Sequence, residues 1–385
     1  MKKPIYMDYN GTTPLDSEVI EAMRQFMERD FGNPSSSHLY GIEPKRAVDK
    51  ARRQVASLIG CKPSEIIFTS GGTESNNYAI FGTLGCKNLE GKRVITSSIE
   101  HPAILEPLRF LETMGVSAIY LPVDESGIVD PADVESNIND KTLLITIMHS
   151  NNEVGSIQPI EEISRIAKSR GVVFHTDASQ SLGKTTCDIK TLGVDMLTVA
   201  GHKLYAPKGV GALYIREGLT LDKLMYGAGQ EMGKRPGTEN VIGIVGLGKA
   251  CEIAGLELRE NILHMKSMRD RLEKGFRSRI SGIRFNGHIE KSLPNTLNVS
   301  FRDIEANRLL EEIGLDVAAS AGAACHSDHV KISHVLEAMK VPLEYAKGAI
   351  RFSLGKHTTS DEIDHTVDVV CNATDLLRKS REIQS

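Results

Sequence analysis

Four short segments of the chain contain residue types that could bind an anion or carry out nucleophilic chemistry. In the first, residues 69–75 place two glycines among hydroxyl side chains, between a predicted strand and a predicted helix. Backbone N–H groups at a helix start, joined by hydroxyl groups, form a cradle for phosphate. The spacing is neither that of a Walker A loop nor G-x-G-x-x-G, so a glycine turn with a Ser or Thr cap is the alternative at this point.

Two further segments place polar and basic side chains directly after predicted strands. Residues 175–180 read His-Thr-Asp-Ala-Ser-Gln, and the carboxyl ends of parallel strands are where open α/β sheets bind ligands. Residues 201–209 place His202 beside Lys203, and a lysine at a strand end is a candidate nucleophilic amine. A polar loop and a solvated surface lysine are the respective alternatives.

The fourth segment carries Cys325 after a run of small residues, followed by His326, Ser327, Asp328 and His329. These are partly metal-ligand types, but their crowding makes a closed tetrahedral site awkward, and a reactive thiol on a loop is the better interpretation. A loop cysteine without a role is the alternative. Six cysteines in 385 residues are too sparse for a disulfide scaffold, and the absence of a C-x-x-C pair excludes a zinc ribbon and a thioredoxin-like motif. The cysteines at positions 61, 86, 187, 251 and 371 are therefore predicted to be small apolar side chains.

The elements that must position these segments alternate between two hydrophobic periods. Up to Thr238, segments of helical spacing separate short apolar runs that begin near residues 65, 93, 118, 142, 172, 196 and 211. Such alternation predicts an α/β fold with a largely parallel sheet. After Thr238, residues 241–279 predict one or two long helices, and the remainder predicts a second, smaller α+β domain.

Composition narrows the class of protein. The chain has 385 residues, is 40% hydrophobic and 25% charged, and has a formal net charge of −4 without a block of like charges. This composition fits a globular protein and argues against a nucleic-acid or anionic-membrane surface. The N-terminus has no secretory signal, and no apolar run approaches the roughly 18 residues needed to span a bilayer. We therefore expect a cytoplasmic protein without direct nucleic-acid or membrane partners.

Taken together and in order, these segments resemble the cysteine desulfurases of the NifS type, within the class V, pyridoxal-phosphate-dependent aminotransferase family. The matching stretches span nearly the whole chain and include MHSNNEVG at 148–155, GHK at 201–203, QEMGKRPGTEN at 230–240 and IRFSLG at 350–355. The resemblance implies fold type I: a large domain over residues 15–258, with a mostly parallel seven-stranded sheet flanked by helices. It also implies a smaller α+β domain, formed by residues 1–14 and 259–385, that carries the Cys325 loop.

The resemblance assigns individual residues to a site for pyridoxal 5'-phosphate. Lys203 matches the Schiff-base lysine, Asp177 the carboxylate that pairs with the pyridine nitrogen, and Gln180 the partner of the phenolic oxygen. The remaining cofactor positions, at the phenolic oxygen, the ring face and the phosphate, are Asn152, His101, Gly72, Thr73, His202 and, from the other subunit of a homodimer with its active site at the subunit interface, Thr238. No metal is implied.

The resemblance also implies a reaction on L-cysteine. Arg351 matches the clamp on the substrate carboxylate, for which the planar guanidinium group is suited, and Asn152 lies near the substrate. Lys203 acts as the base at the α-carbon and His101 handles the thiol proton. Cys325 attacks the substrate sulfur, which yields L-alanine and a Cys325 persulfide that is passed to an unidentified acceptor protein.

Departures from the family pattern keep alternatives open. Ala200 stands where many relatives have a serine that helps to hold the phosphate. The tail after the last helix is shorter than that of the housekeeping desulfurases, which bind an iron–sulfur scaffold protein through it, so donation of sulfur to such a scaffold is left open. Residues 322–329 and 235–240 look especially similar to selenocysteine lyases, so L-selenocysteine is the main rival substrate. An alternative of another class is a non-enzymatic sulfur-carrier or metal-binding module that uses Cys325, His326 and His329.

Overall fold

Helices and strands form where the two hydrophobic periods occur in the sequence. The computed structural model describes residues 3–85, 87–321 and 332–384, and the side chains as far as residue 380. The strands are β1 (Ile5–Tyr6), β2 (Ile66–Thr69), β3 (Arg93–Ser97), β4 (Ser117–Leu121), β5 (Thr142–Thr146), β6 (Val173–Asp177), β7 (Met196–Ala200), β8 (Gly211–Ile215), β9 (Ile283–Asn286), β10 (Thr296–Phe301), β11 (Val317–Ala318), β12 (Ser320–Ala321) and β13 (Ala349–Ser353).

Helices lie between most of these strands. They are α1 (Ser17–Glu28), α2 (Leu39–Ile59), α3 (Gly72–Leu84), α4 (Pro102–Glu112), α5 (Pro131–Asn137), α6 (Ile160–Ser169), α7 (Ile189–Leu192), α8 (Val241–Arg279), α9 (Ala306–Ile313), α10 (His334–Ala338), α11 (Leu343–Ala346) and α12 (Ser360–Gln384). Side-chain caps begin several of them: the carboxylate of Asp16 accepts a hydrogen bond from the Glu18 N–H ahead of α1, and Asp130 does the same ahead of α5.

A seven-stranded sheet organises the larger part of the chain. Its strand order is β2-β8-β7-β6-β5-β3-β4, and β8 is antiparallel to both of its neighbours whereas the other adjacent pairs are parallel. The central strands β7 and β8 are buried along their whole length, as expected for a sheet covered by helices on both faces. The predicted α/β class and the mostly parallel seven-stranded sheet are therefore confirmed.

A second, smaller assembly packs around a four-stranded antiparallel sheet of order β12-β13-β10-β9. Its core contains the rings of Phe276, Phe301 and Phe352, and Phe276 lies 5.3 Å from Phe352 between ring centroids. The short strands β1 and β11 pair in parallel beside it. The predicted smaller α+β unit thus has its own apolar core.

Helix α8 joins the two assemblies. It runs without interruption for 39 residues, so the predicted one or two helices are one. Ile244 and Leu247 near its start belong to the core under the large sheet, whereas Leu272 and Phe276 near its end belong to the core of the small sheet. The predicted domain boundary at residues 258 and 259 falls inside α8 and stays a prediction. Within the described ranges, no helix is both long and apolar enough to cross a membrane.

Candidate active site

A cavity of about 270 Å³ opens where the carboxyl ends of the parallel strands meet the small sheet. Strands β6 and β7 deliver Asp177 and the turn that carries Lys203, while β13 delivers Arg351 from the other sheet. Nine residues predicted for the site line this one cavity: Gly72, Thr73, His101, Asn152, Asp177, Gln180, His202, Lys203 and Arg351. Thr238 is exposed and outside this lining, and Cys325 lies outside the described residues.

Lys203 lies at the base of the cavity on the 3-10 turn Gly201–Lys203 that follows β7. Its Nζ donates hydrogen bonds to the carbonyl oxygens of Asn10, at 2.5 Å, and Gly11, at 2.7 Å. Burial lowers the pKa of Lys203 to about 8, and the charge of Arg351 adds to the decrease. Because the neutral amine is the nucleophilic form, this shift increases the reactive fraction near neutral pH.

Asp177 ends β6 with its carboxylate held by two donors. Asn76 Nδ2 donates to Oδ2 at 2.6 Å, and the Ser179 N–H donates to Oδ1 at 2.9 Å. An ionised carboxylate can accept about four hydrogen bonds, so it keeps capacity for a donor in the cavity. The Oδ1 atom of Asn76 is buried and has no hydrogen-bond partner among the described residues, which leaves a second polar atom for a ligand.

Gln180 and Asn10 form the wall behind Lys203. Gln180 Nε2 donates to the Asn10 carbonyl oxygen at 3.1 Å, and Lys184 Nζ donates to Gln180 Oε1 at 3.1 Å. The side chain of Asn10 donates to the Asn152 carbonyl oxygen and to Thr296 Oγ1, at 3.2 and 2.8 Å. The N-terminal segment therefore ties the large sheet to the small sheet at the site.

The start of α3 provides the anion cradle. A Cβ atom added to Gly72 would lie 3.0 Å from Ser179 Oγ and 3.3 Å from Ala200 Cβ, so only glycine leaves this space open. The first-turn N–H groups of a helix have no intrahelical partner and are suited to a phosphate. His202 contacts Thr12 Oγ1 through Nδ1 at 3.2 Å, and burial lowers its pKa to about 4. A neutral His202 thus lines this end with the hydroxyl of Ser179.

The opposite end of the cavity centres on Arg351. Its Nη2 donates to Asp8 Oδ1 at 2.6 Å and its Nη1 donates to the Asn152 carbonyl oxygen at 3.0 Å. Its Nε is buried and lacks a partner within the described part of the chain. A guanidinium group with an unused donor can bind the carboxylate of a ligand in place of Asp8. Ser320 of β12 pairs with Arg351, so the chain enters the Cys325 segment beside this residue.

The chain leaves the Cys325 segment next to residues that adjoin the cavity lining, since Glu153 follows Asn152 and Glu100 precedes His101. Ser333 Oγ donates to Glu153 Oε2 at 2.5 Å, and His334 contacts the Glu100 carbonyl oxygen at 3.0 Å. Burial raises the pKa of Glu153 to about 7 and that of Glu100 to about 8. Both flanks of residues 322–331 are thus fixed beside Arg351 and His101, the residue that follows Glu100 in the chain.

His101 caps α4 and is exposed to the cavity. The Ala103 N–H donates to its Nδ1 at 3.0 Å, which leaves the proton of the neutral ring on Nε2. Desolvation lowers the pKa of His101, and the neighbouring Lys203 and His334 act in the same direction, whereas Asp177 opposes them. The ring is therefore neutral near pH 7 and presents a donor.

Sequence reasoning missed several residues that hold the predicted ones. Asp8, Asn10, Asn76, Glu153 and Lys184 were given no role from the sequence. A signal existed for Lys184, because it follows Gln180 by four positions, the spacing of one helical turn. Nothing local could have paired Asn76 with Asp177, since 101 residues separate them.

The chain is similar to known proteins over almost its full length. The family described as aminotransferase class-V matches residues 5–366. The cysteine desulfurase IscS of Dictyoglomus turgidum is 48% identical over 379 residues, which cover 98% of this chain and 96% of the relative. A solved structure described as a NifS-like protein has a TM-score of 0.90 at 39% identity, covering 97% of this chain and 99% of its own. SspA, solved in complex with cysteine, has a TM-score of 0.81 at 36% identity, with 92% and 100% coverage.

Proposed function

Because the chain belongs to the class V aminotransferase family, as one of its cysteine desulfurases, we propose that it converts L-cysteine to L-alanine with bound pyridoxal 5'-phosphate. The sulfur passes to Cys325 as a persulfide and from there to an acceptor protein. The observation that carries the proposal is the convergence of Lys203, Asp177 and Arg351 on one cavity, from two different sheets. An amine, a carboxylate and a guanidinium group in this arrangement suit an amino-acid substrate and a cationic pyridine ring.

The cavity has the features that pyridoxal 5'-phosphate requires. The space at Gly72, before the first turn of α3, suits a phosphate group. Asp177 would pair with the ring nitrogen and Gln180, through Nε2, with the phenolic oxygen, while His101 would cover the ring. The bound cofactor supplies an electron sink conjugated to the substrate α-carbon, which makes the α-proton acidic.

The side chains of this protein would then bind the substrate and move its protons. Arg351 exchanges Asp8 for the substrate carboxylate, and the unpaired Nε adds a donor. The lowered pKa of Lys203 suits a base that removes the α-proton and returns one later. Because Nδ1 of His101 is occupied by the Ala103 N–H, we assign to Nε2 a hydrogen bond donated to the substrate sulfur.

The final step uses Cys325 as the sulfur acceptor. Its thiolate attacks the substrate sulfur, the C–S bond breaks as the S–S bond forms, and the released carbon takes up a proton to give L-alanine. The flanks of residues 322–331 support this role, because Ser320 lies beside the cavity residue Arg351 and Ser333 contacts Glu153, the neighbour of the cavity residue Asn152.

We also propose that the protein forms a homodimer in which Thr238 of one subunit contacts the phosphate site of the other. Thr238 is exposed in the single chain. The exposed large apolar side chains of the described residues include Phe31 at 77%, Leu39 at 83%, Tyr40 at 65% and Tyr226 at 82%. Exposed aromatic and aliphatic side chains of this size are typical of a protein interface. Light scattering should give twice the mass of the chain.

The activity is tested by measuring alanine and sulfide from L-cysteine under reducing conditions. Cys325→Ala should abolish both products, whereas the control Cys61→Ala, at a partly buried thiol, should retain them. Full activity in Cys325→Ala would contradict the persulfide step. If selenide release from L-selenocysteine is much faster and survives Cys325→Ala, the protein is instead a selenocysteine lyase. A non-enzymatic module would show no visible cofactor band.

A further inference from the structure

Lys184 is a buried lysine directly behind the active-site wall. It is only 5% exposed, and its Nζ donates to two neutral amide oxygens, Gln180 Oε1 at 3.1 Å and Asn10 Oδ1 at 3.4 Å. No carboxylate oxygen of the described residues lies within 4.0 Å of this Nζ. Burial of an ammonium group without a counter-charge is unfavourable, so its presence at this position requires a reason.

The two neighbouring charges that act on Lys184, those of Lys203 and Arg351, are both positive. Lys203, Arg351 and the neutral His202 face it on the cavity side, where Asp177 and Asp8 lie next to Lys203. Asp16, Glu257 and Lys356 face it on the other side. The phenols of Tyr9 and Tyr205 complete the far side. Both carboxylates there are already bonded to Lys356, at 2.7 and 3.0 Å. On the cavity side, Asp8 is bonded to Arg351, and Asp177 accepts from Asn76 and Ser179. The place left for a counter-charge to Lys184 is therefore a ligand in the cavity.

The contact with Lys184 determines which way the Gln180 amide points. A lysine ammonium group has only donors, so the Gln180 atom that it contacts must be the oxygen. The NH2 group is then directed to the opposite side, where it donates to the Asn10 carbonyl oxygen at 3.1 Å. That same oxygen accepts from Lys203 Nζ at 2.5 Å. A continuous polar path thus runs from Lys184 through Gln180 and Asn10 to Lys203.

We infer that Lys184 is a positioning residue for an anionic ligand: it holds the Gln180 amide with its donor toward the cavity and places a positive charge behind it. The inference rests on the part of the proposed function that seats pyridoxal 5'-phosphate at Lys203. In the free protein, burial and the charges of Lys203 and Arg351 lower the pKa of Lys184 to about 7. An anion in the cavity favours the ammonium form and supplies the missing counter-charge.

The test is a spectroscopic pH titration of the cofactor-loaded protein. A positive charge near the cofactor favours the deprotonated form of its link to Lys203 and lowers the pH midpoint of the visible absorption change. Lys184→Met should raise that midpoint by about one unit or more, since it removes the charge at nearly constant length. Lys184→Arg keeps the charge and should restore most of the wild-type midpoint. Lys190→Met, at an exposed lysine nearby, should leave it unchanged.

Each outcome has a separate meaning. An unshifted midpoint in Lys184→Met, with a normal wild-type band, would overturn the role of Lys184 and leave the proposed function intact. A wild-type protein that shows no cofactor band would instead contradict the proposed function. If Lys184→Met does not fold, Lys184→Gln provides the same comparison, because glutamine keeps a donor but carries no charge. Its midpoint should also rise, and an unchanged midpoint would overturn the inference.

Discussion

The two ends of the active-site cavity are built on opposite electrostatic plans. At the cofactor end, Lys203 and Lys184 contact backbone and amide oxygens and lack carboxylate partners within the described residues. At the substrate end, Arg351 is paired with Asp8. Asp177 at the first end likewise accepts only from neutral donors, so the charged groups of this end stay unpaired until a ligand binds. The second end carries its own anion, which a substrate must displace. The unpaired groups of the first end suit a cofactor that stays bound, and the exchangeable ion pair of the second end suits a substrate that enters and leaves at every turnover.

The largest expected effect tests the cofactor end. Lys203→Ala should lower kcat by at least about 1,000-fold and abolish the visible cofactor band, because Lys203 is both the proposed attachment point and the proposed base. Lys208→Ala, at an exposed lysine of the same loop, should retain activity. A Lys203→Ala protein that still turns over L-cysteine would show that this end of the cavity does not hold the cofactor through Lys203.

The next effect tests the substrate end. Arg351→Ala should lower kcat/KM for L-cysteine by about 100-fold, mainly through KM, because a charge-assisted pair with a carboxylate contributes roughly 2 to 3 kcal/mol. The cofactor band should be unchanged. Cysteamine, which lacks the carboxylate, should lose little from the same substitution. The control is Arg271→Ala at a surface pair. Equal losses for the two substrates would show that Arg351 acts on something other than the carboxylate.

The third prediction concerns Glu153 and the pH dependence of the free energy of unfolding. Its pKa in the folded protein is about 7, above its ordinary value of 4.5, because of burial. The folded state then binds more protons than the unfolded state between these values, so the free energy of unfolding falls as the pH rises from about 4.5 to about 7. Relative to Glu153→Gln, the cofactor-free wild-type protein should lose about 3 kcal/mol across this window.

Urea unfolding at both ends of the window measures this difference, with Glu125→Gln at an exposed site as the control. Parallel pH profiles for wild type and Glu153→Gln would mean that Glu153 is solvated in solution and carries no raised pKa.

The smallest effect concerns Asp8 as the competitor of the substrate carboxylate. Asp8→Asn should lower KM for L-cysteine several-fold, because Arg351 no longer exchanges one anion for another. Gly11→Ala should act in the same direction, since its Cβ would lie 2.3 Å from Asp8 Oδ2 and displace the carboxylate. A rise of KM in Asp8→Asn would show that Asp8 orients Arg351 and does not compete with the substrate.

Much of this arrangement could be predicted from the sequence, since strands such as β7 and β8 are long apolar runs with clear boundaries. Strand β1 has only two residues, and β9 reads Ile-Arg-Phe-Asn, so neither forms an apolar run, and their pairing with distant strands defines them. At the site, the residues that carry chemistry stand in recognisable segments. Asp8 was not assigned because its partner is 343 positions away. Gly11 was not singled out from the sequence either, yet only its missing Cβ leaves room for that carboxylate.

At Ala200, where the family pattern has a serine, a hydroxyl group from another segment of the chain lies at the same place. The sequence suggested a missing hydroxyl contact with the phosphate. In the structure, Ala200 Cβ and Ser179 Oγ both border the space at Gly72. The hydroxyl group at this border is thus supplied from the segment after β6, which only the packing of β6 beside β7 could reveal.

Helix α8 limits how this protein can change in evolution. Its first half is embedded in the core beneath Lys203 and its second half in the core of the sheet that bears Arg351. One residue inserted between Ala254 and Leu272 would turn the second half by about 100° and advance it by about 1.5 Å. Insertions and deletions in this stretch should therefore be selected against, while substitutions on its solvent face accumulate. The length of α8 thus fixes the distance between the amine of Lys203 and the guanidinium group of Arg351.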